Sequence, residues 1–350
     1  MRAAGLPAPR VVSWTRVLRA GGADFDAREL VRVDSPGENA GVDRMLRGAA
    51  DPTRVEGSAR WYARFTAALG GLRGGIRLAD PADLGVLFDK RLCHGVLHAA
   101  GVPVPASPTS GPSAAVVGGW DDVRELMRCH RMPRLFVKPA HGSSASGVLA
   151  VELGGAGRIR ATTSVELAPD GRLFNSLKVR RYHDERQIAA VVDTLAPRRA
   201  APGALAAESV PPRPRRRPAR ARGGGPGHPR SGAYQPRAAD QSPPRGRTRR
   251  SGRGAACRGG GRRPVDGPAR CVRAGRRLLP RTLCVGVDLL PAVDWRRAAV
   301  GEVNAFGDLL PRLTGLPGSG AEGMDTYAAQ VAAALRRYAR GPDTTRDAAS

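Results

Sequence analysis

Lysine is almost missing from this chain of 350 residues: Lys90, Lys138 and Lys178 stand against 54 arginines. A lysine supplies a compact charge on a slim stem, which the planar arginine fork does not replace, so each of the three marks a candidate for that role. Aromatic residues are scarce too, at 4%. No run reaches the roughly 20 apolar residues of a membrane span. The opening Met1 to Pro9 has no apolar core of the signal-peptide kind. A soluble cytoplasmic protein is therefore expected, with no membrane partner. Five cysteines (Cys93, Cys129, Cys257, Cys271 and Cys284) are scattered without a C-x-x-C pair. That pattern excludes a disulfide framework and a zinc ribbon and predicts free thiols. The chain shows neither a Ser/His/Asp-like nor a Cys/His signature, and no side chain is assigned as a catalytic nucleophile.

Among what is present, the run Phe136-Val-Lys-Pro-Ala-His-Gly-Ser-Ser-Ala-Ser-Gly-Val-Leu-Ala-Val151 is the richest. Short apolar stretches of strand type, Leu135 to Val137 and Val148 to Val151, flank a Gly/Ser loop. Gly142, Ser143, Ser144 and Gly147 can present backbone N–H groups and hydroxyls to an anion, with Lys138 as a point charge at the loop's mouth. A P-loop carries its lysine after the second glycine and then enters a helix; here the lysine precedes the glycines and a strand follows. Two readings fit these residues: a phosphate clamp, and a tight hairpin whose glycines only turn the chain.

Along the chain, Val11 to Trp14 and Leu30 to Val33 read as strands and Ala59 to Leu72 as an amphipathic helix, which suggests a small α/β unit over 1–79. Pro81 opens a helix whose apolar pattern runs through Leu84, Leu87, Leu92 and Leu97 to a stop at Gly101. Asp121 to Cys129 is a second amphipathic helix. Thr163 to Leu167 and Leu173 to Tyr182 form a hairpin, and Asp184 to Leu195 another helix. His94 and His98 share a helix face, but their spacing lacks the glutamate of a zincin, and a packing role is expected. His141, inside the glycine loop, reads as a turn residue or a phosphate contact, with the turn favoured, and Arg180 and Arg181 as a solvated strand edge or a contact for an acidic substrate.

The texture breaks at 198–281. This stretch holds 23 arginines, no lysine and three acids (Glu208, Asp240, Asp266), so it alone carries +20 of the net +26. It has too few apolar residues to offset the entropy of ordering, and disorder is expected. Three origins fit: an arginine-rich nucleic-acid tether, a passive linker, and a G/C-rich gene read out of frame. Arg, Pro, Gly and Ala are the residues of all-G/C codons, and the stretch has abrupt edges and a single aromatic, Tyr234, among its arginines. These features favour the frameshift over nucleic-acid binding.

Globular texture returns over 282–340, before a tail at 341–350. Cys284 to Leu290 and Ala298 to Asn304 read as an antiparallel pair. Glu302 and Asn304 leave one face of a strand, and the hairpin can set Asp288 beside them. Two carboxylates and an amide oxygen suit Mg²⁺. A solvated strand face is the competing reading.

Four features in order, Phe88-Asp-Lys90, Val137 to Val148, Gly286-Val-Asp288 and Gly301-Glu-Val-Asn304, resemble the ATP-grasp superfamily, whose members include D-alanine–D-alanine ligase and glutathione synthetase. The resemblance implies an α/β (α+β) fold: two ATP-grasp lobes, the first over 80–197 and the second broken by 198–281, preceded by the small domain. It implies that Lys90, Lys138 and the Gly142–Gly147 loop contact ATP and that Asp288, Glu302 and Asn304 hold Mg²⁺; the family's adenine hinge should fall where the chain turns arginine-rich, and Glu208 is the nearby candidate for its acid. The implied activity is ligation of a carboxylate to an amine or other nucleophile through an acyl phosphate. Gly286 departs from the pattern, standing where many such ligases carry an arginine. The alternatives are a nucleotide-binding relative with impaired catalysis, and a nucleic-acid binder using 198–281.

Overall fold

The computed structural model describes residues 5–37, 39–48, 51, 53–111, 114–142, 146–196, 205–209, 278–279, 281–292, 297–306, 314–315 and 319–340. Ser143, Ser144, most of 198–281 and the tail lie outside the described residues, and so does the expected disorder of that stretch. Within them the fold is mixed α/β, built on two hydrophobic cores.

The first core gathers helices α1 (Trp14–Ala20), α2 (Ala40–Arg47), α3 (Ser58–Gly70), α4 (Pro81–Leu87) and α5 (Lys90–Ala99) around a parallel pair, β1 (Ala23–Val31) and β2 (Leu72–Arg77). Val300 and Val303 join the same core from much later in the chain. Trp14, Phe65, Phe88 and Phe306 form a continuous aromatic chain, with successive ring centroids 5.6, 4.8 and 5.7 Å apart. Tilted rings at such spacings are favourable pairs beyond the area they bury. Residues on both sides of position 79 contribute to this core.

Two local expectations are overturned here. Val11 to Trp14 is not a strand: the Ser13 side chain accepts from Arg16 N and caps α1, and capping wins over β-propensity. The single helix expected after Pro81 is two. Asp89 adopts extended backbone and its carboxylate accepts from Arg91 N and Leu92 N, so the chain stops at Phe88 and restarts at Lys90.

The second core is one face of a five-stranded antiparallel sheet, ordered β6-β5-β4-β3-β7. Its strands are β3 (Arg134–Pro139), β4 (Leu149–Leu153), β5 (Ile159–Leu167), β6 (Leu173–Tyr182) and β7 (Leu205–Ser209). Strand alternation turns Leu135, Val137, Leu149, Val151, Ala161 and Val165 inward, where each is fully buried. Helices α6 (Trp120–Cys129) and α7 (Glu185–Leu195) cover them with Val123, Ile188, Val191 and Val192. Strand β7 lies inside the stretch expected to be disordered. Leu-Ala-Ala-Glu-Ser holds no Arg, Pro or Gly and pairs residue by residue with β3, so 205–209 is a strand of the sheet.

After that stretch the chain re-enters at Leu279, buried against the first core, and Thr282, whose hydroxyl donates to Asp83 Oδ2 at 2.8 Å. An antiparallel pair follows, β8 (Gly286–Pro291) and β9 (Ala298–Asn304), then helix α8 (Thr326–Arg340). Among the described residues no helix is long and apolar enough to cross a membrane.

Candidate functional site

Strand β3 turns Phe136 and Lys138 to the sheet face away from the second core. Phe136 sits opposite Glu208 of β7, and Lys138 opposite Ala206, so Lys138 and Glu208 are diagonal neighbours on one face. Lys138 Nζ is 2.6 Å from Glu208 Oε2, in a pair that is 16% and 7% exposed. Contact between residues 70 positions apart makes Glu208 part of the same site as the lysine.

Lys90 enters from the other side of the cleft. The break at Asp89 makes it the first residue of α5, with its N–H on Ala140 O at 2.9 Å. Its ammonium pairs with Glu302 Oε1 of β9. Lys90, Cys93 and His94 of α5, Lys138 and Glu208 of the sheet and Glu302 of β9 thus line one partly open cleft. Burial first, and the charge of Glu302 second, push the Cys93 thiol up to about 11, so it faces the cleft as a neutral thiol.

Of the glycine loop, Gly142 and Gly147 are described. Both back onto Pro139. Gly147 has φ +73°, and a Cβ there would stand 2.7 Å from Pro139 Cγ. Glycine is required at this position for the turn itself, whatever else the loop does. Ser143 and Ser144, named with it, lie outside the described residues.

The β8–β9 pairing sets Asp288 opposite Glu302 and Gly286 opposite Asn304, with the register shifted just after Asp288. Asn304 Nδ2 donates to Asp288 Oδ2 at 3.3 Å. The hairpin therefore brings the three expected oxygen-bearing side chains to one end. Glu302, however, is taken up by Lys90, a partnership the sequence does not signal because the two are 212 positions apart. Among the described residues no group of three or more His, Cys, Asp or Glu side chains clusters as a metal site. A cation here would rest on two carboxylates and the Asn304 amide turned to present its oxygen. Hard oxygen donors in that number fit Mg²⁺, which keeps several of its waters.

The histidines divide as their partners dictate. His94 bridges Pro105 O and Ser110 Oγ, each at 2.6 Å, a packing role as expected for this helix face. Arg180 pairs with Glu166 across the β5–β6 hairpin. Cys93, Cys129 and Cys284 are free thiols; Cys257 and Cys271 lie outside the described residues.

No protein-family model matches the chain, and no curated protein does. Among solved structures the chain is similar to D-cycloserine synthetase DcsG, at 13% identity over 80% of this chain and 79% of that one, with a TM-score of 0.34. A likeness of that size carries neither a fold nor an activity across.

Proposed function

We propose that the chain is an ATP- and Mg²⁺-dependent ligase of the ATP-grasp type, joining a carboxylate to an amine through an acyl phosphate. One observation carries the reading. Two of the three lysines, from elements distant in sequence, face one cleft together with Glu208 and Glu302. Asp288 and Asn304 stand beside Glu302 on the same hairpin.

The roles follow from charge. Lys90 and Lys138 would meet phosphate oxygens, and each must first loosen its hold on a carboxylate. Glu208, on the strand beside Lys138, would present a carboxylate to the exocyclic amine of the base. Asp288, Glu302 and Asn304 would hold Mg²⁺, which when bound neutralises charge on the transferred phosphoryl group. Phosphoryl transfer depends on position and electrostatics more than on a protein nucleophile, which agrees with a cleft whose cysteine is a neutral buried thiol.

Calorimetry of ATP binding with and without Mg²⁺ tests the proposal. Binding should require the cation and weaken at least tenfold in both Lys138→Ala and Glu302→Ala. Tight binding indifferent to both changes defeats it. A nucleotide-binding protein without turnover is the second reading, favoured by one fact: both cleft lysines are already neutralised by the protein's own carboxylates. ATP binding without ADP formation over a panel of carboxylates and amines would select it. Nucleic-acid binding through 198–281 requires affinity that falls steeply with salt, and its absence removes that reading.

A further inference from the structure

The entrance of the glycine loop is fastened to the start of α5 at two successive points. Lys90 N donates to Ala140 O at 2.9 Å, and His141 Nε2 lies 3.1 Å from Asp89 Oδ2. Asp89 is 3% exposed. Its Oδ1 caps α5 through Arg91 N and Leu92 N at 2.9 and 3.3 Å, while the Arg91 guanidinium reaches both of its oxygens. Burial pushes the Asp89 carboxyl up, but hydrogen bonds and charge from His141 and Arg91 outweigh it and hold the group well below the usual carboxylate range. An ionised carboxylate only accepts, so Nε2 of His141 carries the proton and donates.

The other side of His141 is equally constrained. The Tyr62 ring stacks on the imidazole, with centroids 4.0 Å apart and planes at 17°, and the Tyr62 hydroxyl donates to Gly85 O at 3.0 Å. Nδ1 is buried and has no hydrogen-bond partner among the described residues. A structural histidine buried for packing normally satisfies both nitrogens, as His94 does. Among the described residues, the one partner of the His141 ring nitrogens is Asp89. Its effect is therefore exerted through Asp89, on the residue that follows.

We propose that His141 is a positioning residue: its bond to Asp89 fixes Lys90 relative to the end of β3, where Lys138 lies, and so sets the affinity for the phosphate chain of a nucleotide. The inference rests on the function proposed above and adds a named determinant to it. The clamp acts on Lys90, which would face phosphate, and not on Glu208, which would face the base, so it separates phosphate affinity from nucleoside affinity.

The test is calorimetric binding of ATP, ADP and adenosine, with Mg²⁺, to the full chain and to His141→Leu and His141→Gln. Leucine keeps bulk without a donor; glutamine restores a donor that reaches Asp89. His141→Leu should lose about tenfold in ATP affinity while adenosine changes less than twofold, and His141→Gln should recover most of the loss. Equal losses for ATP and adenosine, or no rescue by glutamine, would reduce His141 to a packing residue and overturn the inference. Unchanged ATP affinity in His141→Leu overturns it as well and leaves the ligase reading standing. A parent chain that binds neither ATP nor adenosine overturns both.

Discussion

The cleft is flanked at its two ends by lysine–glutamate pairs, and the two ends are built differently. Lys138 and Glu208 project from adjacent strands of a sheet whose opposite face is fully buried, and the pair is itself nearly dry. Lys90 and Glu302 come from a helix start and a strand of the two-stranded β8–β9 sheet, and the glutamate side chain is 34% exposed. A dry pair resists separation because either partner alone is stranded in low dielectric. A wetter pair costs little to open, since solvent takes up the slack. The two lysines are similarly buried, at 12% and 16% exposed, so the difference lies in the glutamates: Glu208 gives up its partner at a greater cost than Glu302.

Changes at the sheet end should have the largest effect. Lys138→Met leaves the Glu208 carboxylate buried without its cation and should cost about 3 kcal/mol of stability, read as a drop in the urea midpoint. Adding Glu208→Leu to it should recover most of that loss; a double variant no better than the single one would show that the pair contributes no charge compensation. At the hairpin end, Lys90→Met should cost less than about 1 kcal/mol. Its effect should appear in ligand binding, with opposite signs for the two partners. Mn²⁺ alone should bind Lys90→Met more tightly than the parent, and metal-free triphosphate should bind Glu302→Gln more tightly, each by about fivefold. Losses in both variants would erase the distinction between the two ends.

Two smaller effects sharpen the comparison. Asp89 has its carboxyl held below the usual range, so its contribution to stability is complete above about pH 4 and lost as pH falls from there through the folded value. Between pH 5 and 3 the parent should therefore lose more stability than Asp89→Asn, measured by thermal unfolding. Cys93, raised to about 11, should remain unmodified by iodoacetamide at pH 8 while the exposed Cys129 reacts, as mass spectrometry would show.

How much of this was legible in the sequence depended on how local the signal was. Alternation in Leu135 to Val137 and in Thr163 to Leu167 places the inward residues of β3 and β5 correctly. The i, i+2 spacing of Glu302 and Asn304 anticipates the hairpin end. Strand β2 was not legible, because Gly74 and Gly75 interrupt its pattern; both have positive φ, and a Cβ at Gly74 would stand 2.1 Å from Phe25 O. The break between α4 and α5 was hidden because the apolar spacing continues across it while one capping carboxylate decides the geometry. Strand β7 was masked by its arginine-rich surroundings. The two ion pairs join residues 70 and 212 positions apart, beyond any periodicity. Because β7 pairs with β3 and Leu279 is buried in the first core, the frameshift reading narrows to codons 210 to 277. Resequencing them checks it: a one-base correction that restores acidic and apolar strands supports the shift, and an intact frame removes it.

The contact between Lys90 and Glu302 spans most of the chain, and it sets how the cleft comes together in time. Both sheet-end partners and the whole of α5 precede Ser209, so one wall can assemble during synthesis before β9 exists. Completion waits for a ring closure across 212 positions. For a flexible connection the entropy of that closure grows only logarithmically, about 0.6 kcal/mol per doubling of length. The length of the interruption is therefore nearly neutral to the equilibrium, and it weighs instead on the rate at which the last wall arrives.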